Sequence, residues 1–407
     1  MPDGVMNTMK KRIMIFCDFY LPGFKSGGGM WTVVNLVDRF NDKYDFFIVT
    51  RNYDSKGDKK KFETVRTDDW NEVNGAKVYY FADGSLTPQK TADLVNEIAP
   101  DAFFVNSALS LPVFRLLTAR RKKLFKEIPF ILAPCGEMSE GALSVKPLKK
   151  KIFLKYADIV DLYKGVIWKG SFASEAYEIR KMMGDDVEVM VAPDLVPHSI
   201  IPDYDQAWKP RKEKGSVKFV FISRLVPKKN ISYFLERLCD IKSGNVEFDI
   251  IGPLEDQSYW KHCQSLIADL PENIKVNVTG AFPDQRDALR RVCDSHFFAM
   301  PTLNENFGYV FIEGLAAGCP LLISDRTVWS DIEEKGVGWR IPLERPDLYL
   351  EQIDRCIQME NDEYLSMSVR ARQYAVDWLA KPEINEATAR VLDRALDQRS
   401  VTANDGR

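Results

Sequence analysis

The 407-residue sequence predicts an α/β protein built from two doubly wound, Rossmann-like domains. Short, largely apolar runs alternate with helical patterns in the first half and again in the second. Residues 13–17 of the first run are apolar throughout, as expected of a buried parallel strand, and the alternation itself implies parallel sheets with helices on both faces. Residues 193–214 separate the two series; they hold four prolines and several charges without periodicity.

The first series opens with an apolar strand at residues 12–17. A turn ending in Gly27, Gly28 and Gly29 follows, and then a helix over 31–40 with Val33, Val34, Val37 and Phe40 on one face. Strands are expected at 46–49, 76–81, 102–105 and 129–133, with helices at 87–98 and 110–125 between the later ones. Strands at 166–169 and 187–191 continue the sheet. The second series runs strand 217–222, helix 230–241, strand 248–251, helix 258–269, strand 275–278, helix 284–293 and strand 297–300. Strand 321–324 and a long helix at 361–380 come next. A last helix runs from Pro382 to about 397, and the polar tail 400–407 reads as disordered. The expected division is therefore 1–200, a linker at 201–214, 215–380, and a C-terminal helix and tail at 381–407.

Composition is that of an ordinary globular chain, 45% hydrophobic and 28% charged. The formal net charge of -3 is uneven, with the excess of base in residues 1–200 and the excess of acid in the rest. Seven cysteines without a C-x-x-C pair read as buried free thiols, and three histidines make a His-based metal centre a poor fit. The first ten residues lack the apolar core of a signal peptide, and no apolar run approaches the roughly 20 residues that span a bilayer. The expectation is a cytoplasmic protein, peripheral at most on the inner face of a membrane.

The most informative stretch is PTLNENFGYVFIEGLAAGCP, from Pro301 to Pro320. Glu305 would precede a helix N-terminus, and Glu313 would lie eight residues on, roughly 12 Å along the axis. The N–H groups of Asn306, Phe307, Gly308 and Tyr309 would stand unpaired at the positive end of the helix dipole. Such an element suits a diphosphate flanked by hydroxyl-bearing groups. In FISRLVPKKN, from Phe221 to Asn230, Arg224 follows a strand and Lys229 begins a helix. A fixed guanidinium fork and a flexible ammonium at a helix entrance suit a pyrophosphate that gains charge as it leaves.

These two elements resemble the glutamate-x7-glutamate and Arg-Leu-x-x-x-Lys-Gly motifs of retaining nucleotide-sugar glycosyltransferases of family 4. The resemblance implies the GT-B fold, two doubly wound Rossmann-like domains facing a central cleft. It gives the C-terminal domain the nucleotide sugar and the N-terminal domain the acceptor. It further implies that Glu305 holds the donor sugar, Glu313 the ribose, and Arg224 with Lys229 the leaving diphosphate. Asn230 stands where the family has glycine, and Lys228 leaves open which lysine points inward.

The glycine-rich loop from Tyr20 to Gly29 lacks the G-x-G-x-x-G spacing of a dinucleotide site, and Thr50-Arg51 stands where such a site wants an acid. It resembles instead the family's loop that faces the donor phosphates, which makes Gly28 and Gly29 donor-binding and Tyr20 an acceptor-side residue. Gly252 and Gly280 end strands whose turns, in the family, wall the base. Cys135, Gly136 and Glu137 end a first-domain strand on the acceptor side, where family members carry a histidine or an arginine. Glu137 reads either as a base or acceptor-orienting group or as a loop acid.

No metal or cofactor is expected; Asp203 and Asp205 spell D-x-D, but in the proline-rich linker. The expected partners are a nucleoside diphosphate sugar as donor and a saccharide or lipid-linked saccharide as acceptor, with no nucleic acid. Two basic stretches, 120–126 and 146–155, read either as surfaces for anionic lipid or as solvated helix faces. The activity implied is hexosyl transfer in cell-surface polysaccharide or lipopolysaccharide assembly. A degenerate, non-catalytic GT-B scaffold and another sugar-nucleotide enzyme, such as an epimerase, are the competing readings.

Overall fold

Ile13, Met14, Ile15 and Phe16 are fully buried, and they set the centre of the larger of the two main sheets. The computed structural model describes residues 9–55, 58–139, 147–202, 209–282 and 285–404. The chain divides into two units, residues 1–195 with 383–407, and residues 196–382.

In the first unit the strands are β1 (Lys11–Phe16), β2 (Tyr44–Arg51), β3 (Tyr53–Ser55), β4 (Asp58–Lys61), β5 (Trp70–Val73), β6 (Ala76–Phe81), β7 (Ala102–Asn106), β8 (Phe130–Ala133), β9 (Val166–Gly170) and β10 (Val189–Val191). The helices are α1 (Gly28–Phe40), α2 (Pro88–Ile98), α3 (Leu111–Arg121), α4 (Pro147–Ile159) and α5 (Ala173–Met183). The eight-stranded sheet runs β10-β9-β8-β7-β1-β2-β6-β5, parallel except for β5, which pairs antiparallel with β6 at the edge. Val33, Val34, Val37 and Phe40 of α1 are buried, as the helical period predicts. The β3–β4 hairpin, β5 and α5 carry weak periodicity and do not stand out in the sequence.

In the second unit the strands are β11 (Ser216–Ile222), β12 (Asn245–Ile251), β13 (Ile274–Thr279), β14 (Phe297–Met300), β15 (Leu321–Ser324) and β16 (Gly338–Ile341). The helices are α6 (Ile231–Cys239), α7 (Gln257–Ala268), α8 (Gln285–Cys293), α9 (Tyr309–Ala316), α10 (Pro346–Gln358) and α11 (Asn361–Leu379). All six strands are parallel, in the order β13-β12-β11-β14-β15-β16. That is the doubly wound order 3-2-1-4-5-6, with the switch in direction between β11 and β14. The short strand β16 and helix α10 are additions to the elements expected from the sequence.

The last helix, α12 (Pro382–Asn404), belongs to the first unit. Arg394 forks onto Glu188 at 2.8 and 3.1 Å, and Arg399 reaches the Pro100 carbonyl and Asp101. Tail residues 400–404, expected to be disordered, continue this helix just beyond the Arg399 anchor. The segment from Lys209 onward, read as linker, is packed into the second unit. The Lys212 ammonium is buried and donates to the carbonyls of Glu213, Ile357 and Met359 at 2.9–3.0 Å.

His296, just before β14, is buried, and its Nδ1 accepts from the Lys218 N–H at 2.9 Å. Burial, with Lys212, Lys209 and Lys218 around it, holds the imidazole down to about 3. Its folded pKa lies below the unfolded value near 6.5, so the unfolded chain binds the proton first as pH falls. The stability tied to neutral His296 is complete above about pH 6.5 and is lost progressively toward pH 3. Between pH 6.5 and 5 the wild type should lose about 2 kcal/mol that His296→Asn does not. Urea midpoints of the two proteins across that range check it.

Candidate functional site

Apart from Glu313 on α9, the residues the sequence singles out in the second unit lie in loops at the carboxyl edge of its sheet. Arg224 and Lys229 follow β11, Gly252 follows β12, Gly280 follows β13, and Glu305 follows β14. In a doubly wound sheet that edge, at the switch in strand order, is where ligands bind. The loops after β11 and β14 flank the switch.

Lys229 ends a single 3-10 turn (Pro227–Lys229), and its ammonium is ion-paired with the Glu305 carboxylate. Both side chains are largely buried. Burial raises the Glu305 carboxyl, but the charges of Lys229, Lys228 and Arg224 overcome it and hold the group below its ordinary range. Of the two lysines, Lys229 therefore makes the contact. Arg224 is more exposed and holds Glu255 at 3.0 Å, a partner not read from the sequence.

Backbone bonds join the two loops. The Leu303 N–H and the Thr302 hydroxyl donate to the Lys228 carbonyl at 2.9 and 3.0 Å. Asn230 has φ 56° and donates from its amide to the Pro301 carbonyl at 2.9 Å. Asparagine tolerates this left-handed conformation better than most residues, which explains how it replaces glycine at this position. On the far side, Glu305 N–H donates to the Arg326 carbonyl at 3.0 Å.

Gly308 caps α9 with φ 73°, and a Cβ there would stand 2.5 Å from Phe311 and 2.8 Å from Glu305 Cγ. Only glycine lets the helix start so close to the carboxylate. The Phe307 ring is buried, with ring centroids 4.9 Å from Tyr309, 5.6 Å from Trp329 and 5.4 Å from Trp378, so only its backbone is left to meet a donor. The Trp329 indole donates to the Phe307 carbonyl at 2.7 Å. Phe307 and the buried Tyr309 thus anchor the loop, whereas Asn306 is half-buried at its turn.

Glu313 is buried in the second turn of α9 and lines a cavity of about 40 Å³ with Ile200, Ile222, Arg286 and Leu289. Arg286 and Leu289 sit on α8, whose pattern gave no sign of a site. Gly252 has φ 140°, and a Cβ would stand 2.0 Å from the Ser223 carbonyl oxygen. Its absence brings the end of β12 against the loop that carries Arg224. Gly280 faces open space.

In the first unit, Gly28 and Gly29 begin α1 behind Gly27, which has φ 78°. The preceding turn is held by Asp54, whose carboxylate accepts from the Phe24 and Lys25 N–H groups at 2.9 and 3.0 Å. Asp54 lies on β3, outside any recognised motif. Tyr20, expected on the acceptor side, is fully buried and packs in the core. Cys135 has φ 52°, and its thiol lies 3.4 Å from Asn106 Oδ1; the Asn106 amide donates to Gly29 O at 2.6 Å. Burial, with Asp194 and Glu175 nearby, pushes the thiol well above its ordinary pKa, which disfavours the nucleophilic thiolate. The Gly136 N–H donates to Glu175 at 2.6 Å. Glu137 spends both oxygens on the neighbouring turn, accepting from Ser107 Oγ and Ala108 N at 2.7 Å and from Leu109 N at 3.2 Å. Burial raises its carboxyl against these bonds. Those contacts favour the loop-acid reading.

Among the described residues, no cluster of His, Cys, Asp or Glu has the arrangement of a metal site, and no helix is long and apolar enough to cross a membrane. Asp203 and Asp205 lie outside the described residues.

The two units, each a Rossmann-like sheet, form the GT-B fold, as comparison with solved structures shows. HepE of Anabaena, solved in complex with UDP and glucose, is 16% identical with TM-score 0.67, over 94% of this chain and 100% of that one. Sucrose-phosphate synthase of Thermosynechococcus elongatus is 14% identical with TM-score 0.72, over 97% and 100%. WaaG, a glycosyltransferase involved in lipopolysaccharide biosynthesis, is 11% identical with TM-score 0.65, over 93% and 98%. Residues 204–375 match the family described as "Glycosyl transferases group 1". No curated protein matches the chain.

Gly252→Ala should lose about 3 kcal/mol, because the new Cβ meets backbone in a conformation strained for any side chain. Gly280→Ala, open to solvent, should stay within about 0.5 kcal/mol of wild type. Denaturant midpoints compare the two.

Proposed function

We propose that this chain is a retaining glycosyltransferase that moves a hexose from a nucleoside diphosphate sugar to a saccharide or lipid-linked saccharide. The observation that carries this reading is the pairing of Lys229 with Glu305 at the switch point of the second sheet, inside the segment that matches the group 1 family. Arg224 and Lys229 stabilise the diphosphate as its charge grows, and the first N–H groups of α9 add donors fixed in place. Glu305 accepts from hydroxyls of the donor sugar, and Glu313 accepts from the ribose in its cavity. The fixed cations take the load that a divalent metal carries in other transferases. HepE, solved with UDP-glucose, supports the donor class, and WaaG supports a setting in cell-surface glycan assembly.

A thermal-shift screen of UDP-, GDP-, ADP-, CMP- and dTDP-sugars, with and without EDTA, tests the reading. One sugar nucleotide at 100 times its Kd should stabilise the protein by roughly 2.7 kcal/mol, with EDTA making no difference. Glu305→Gln should lower transfer at least about 100-fold, and the product's anomeric configuration by NMR should match the donor's. Transfer within a few-fold of wild type would overturn the role of Glu305, and an inverted product would overturn retention.

The same protein is proposed to work at an anionic membrane surface. On α4, Leu148, Ile152 and Ile159 are 71, 62 and 73% exposed, and exposed Tyr156 lies on the same face, its hydroxyl accepting from Arg121 at 3.3 Å. Lys155 and the exposed Arg121 border this apolar stripe, and Lys122 and Lys123, next to Arg121 in the chain, are exposed too; Lys146 and the side chains of Lys149, Lys150 and Lys151 lie outside the described residues. An apolar stripe edged by base suits a headgroup boundary. Sedimentation with phosphatidylglycerol vesicles at low salt should bring down the wild type. The pair Ile152→Asp and Ile159→Asp should stay in the supernatant. Equal pelleting of both, or of neither, removes the surface.

A further inference from the structure

The proposed donor site already contains an anion. Glu305 lies under the combined field of Lys229, Lys228 and Arg224, and its carboxylate occupies the ammonium that the proposed function gives to the diphosphate. The pair is largely buried, so water screens it weakly and neither charge is free to serve a ligand while they face each other. The loops that carry them are fixed to one another by the bonds from Leu303, Thr302 and Asn230, so the two side chains stay within reach. A ligand that takes Lys229 must offer phosphate in place of Glu305, and it must then leave Glu305 a new partner.

The geometry points to Glu305 as an internal counter-ion that makes the site discriminate intact donor from nucleoside diphosphate product. Either ligand displaces the carboxylate from Lys229. Only the intact donor presents sugar hydroxyls that the displaced carboxylate accepts. The product leaves it as a partly buried anion stripped of its ion-pair partner, beside a diphosphate of the same sign. The built-in anion therefore competes with product and cooperates with donor, a specificity obtained by penalising the wrong ligand. This inference rests on the donor-site reading in the proposed function.

Calorimetric titration of wild type and Glu305→Gln with UDP and UDP-glucose, with the GDP/GDP-mannose and ADP/ADP-glucose pairs alongside, tests it. Glu305→Gln should bind the matching nucleoside diphosphate about tenfold tighter than wild type, and the sugar nucleotide no tighter. In a Lys229→Met background the same change should tighten the diphosphate markedly less, because no ion pair is then broken, which ties the larger effect to the pair rather than to a loosened loop. Glu313→Gln, outside the pair, should not tighten it in either background. If Glu305→Gln is too unstable to titrate, Glu305→Asp serves. Its shorter reach should weaken the pair and tighten the diphosphate in the same direction. Unchanged or weaker diphosphate binding by a folded variant, with wild type binding the sugar nucleotide, overturns the counter-ion and leaves the donor site standing. Wild type binding none of the six ligands overturns both.

Discussion

The Lys229–Glu305 ion pair depends on two adjacent parallel strands whose chains turn away in opposite directions. β11 feeds the turn before α6, and β14 feeds the loop before α9. Because β12 lies on one side and β15 on the other, the edge between β11 and β14 is not covered by a crossover. Polar groups brought there face each other rather than a packed helix. The buried apolar strands beneath fix their spacing, and neighbouring bonds fix their orientation.

The local backbone is arranged around that pair. Asn230 and Gly308 both take left-handed conformations, one at the entrance to each loop's helix. For Asn230 that conformation costs free energy in isolation, whereas glycine adopts it without strain. In this site the Asn230 amide makes a hydrogen bond, and Gly308 leaves room for Phe311 and Glu305. The Phe307, Tyr309, Trp329 and Trp378 rings give the loop a hydrophobic anchor, with aromatic pairs worth about 0.5–1.5 kcal/mol each beyond area burial. The first unit uses a different device. Asp54, Glu137 and Glu175 accept backbone N–H groups and hold three turns at the carboxyl edge of its sheet. These acids support loops, and their carboxylates are occupied in doing so.

Much of this is legible in the sequence. The strands at 76–81, 297–300 and 321–324 carry mostly apolar runs, and they lie where those runs predict. Arg224, Lys229 and Glu305 stand out because charged residues in the loops after buried strands are rare without a task, and Glu313 because it is the one charge on an otherwise apolar helix. Elements with little periodicity escape: the β3–β4 hairpin, β5, α5, β16 and α10. Arg286 escapes because nothing local marks a helix residue that lines a cavity with a carboxylate 27 positions further on. The burial of the Tyr20 and Phe307 rings escapes because both neighbour motif residues, yet apolar surface is buried wherever a core can take it.

Sequence alone determined the two alternating series, the doubly wound class and the positions of the charged groups beside the strands, because those features are local and periodic. Tertiary structure decided which charges meet. It showed that Lys229 rather than Lys228 reaches Glu305, and that Glu137 is bound up in its own turn. It also grouped the last helix with the first unit. These outcomes depend on strand order and side-chain direction between residues far apart in the chain. Hydrophobic period constrains neighbours along the sequence, and it carries no information about which distant loop will face them.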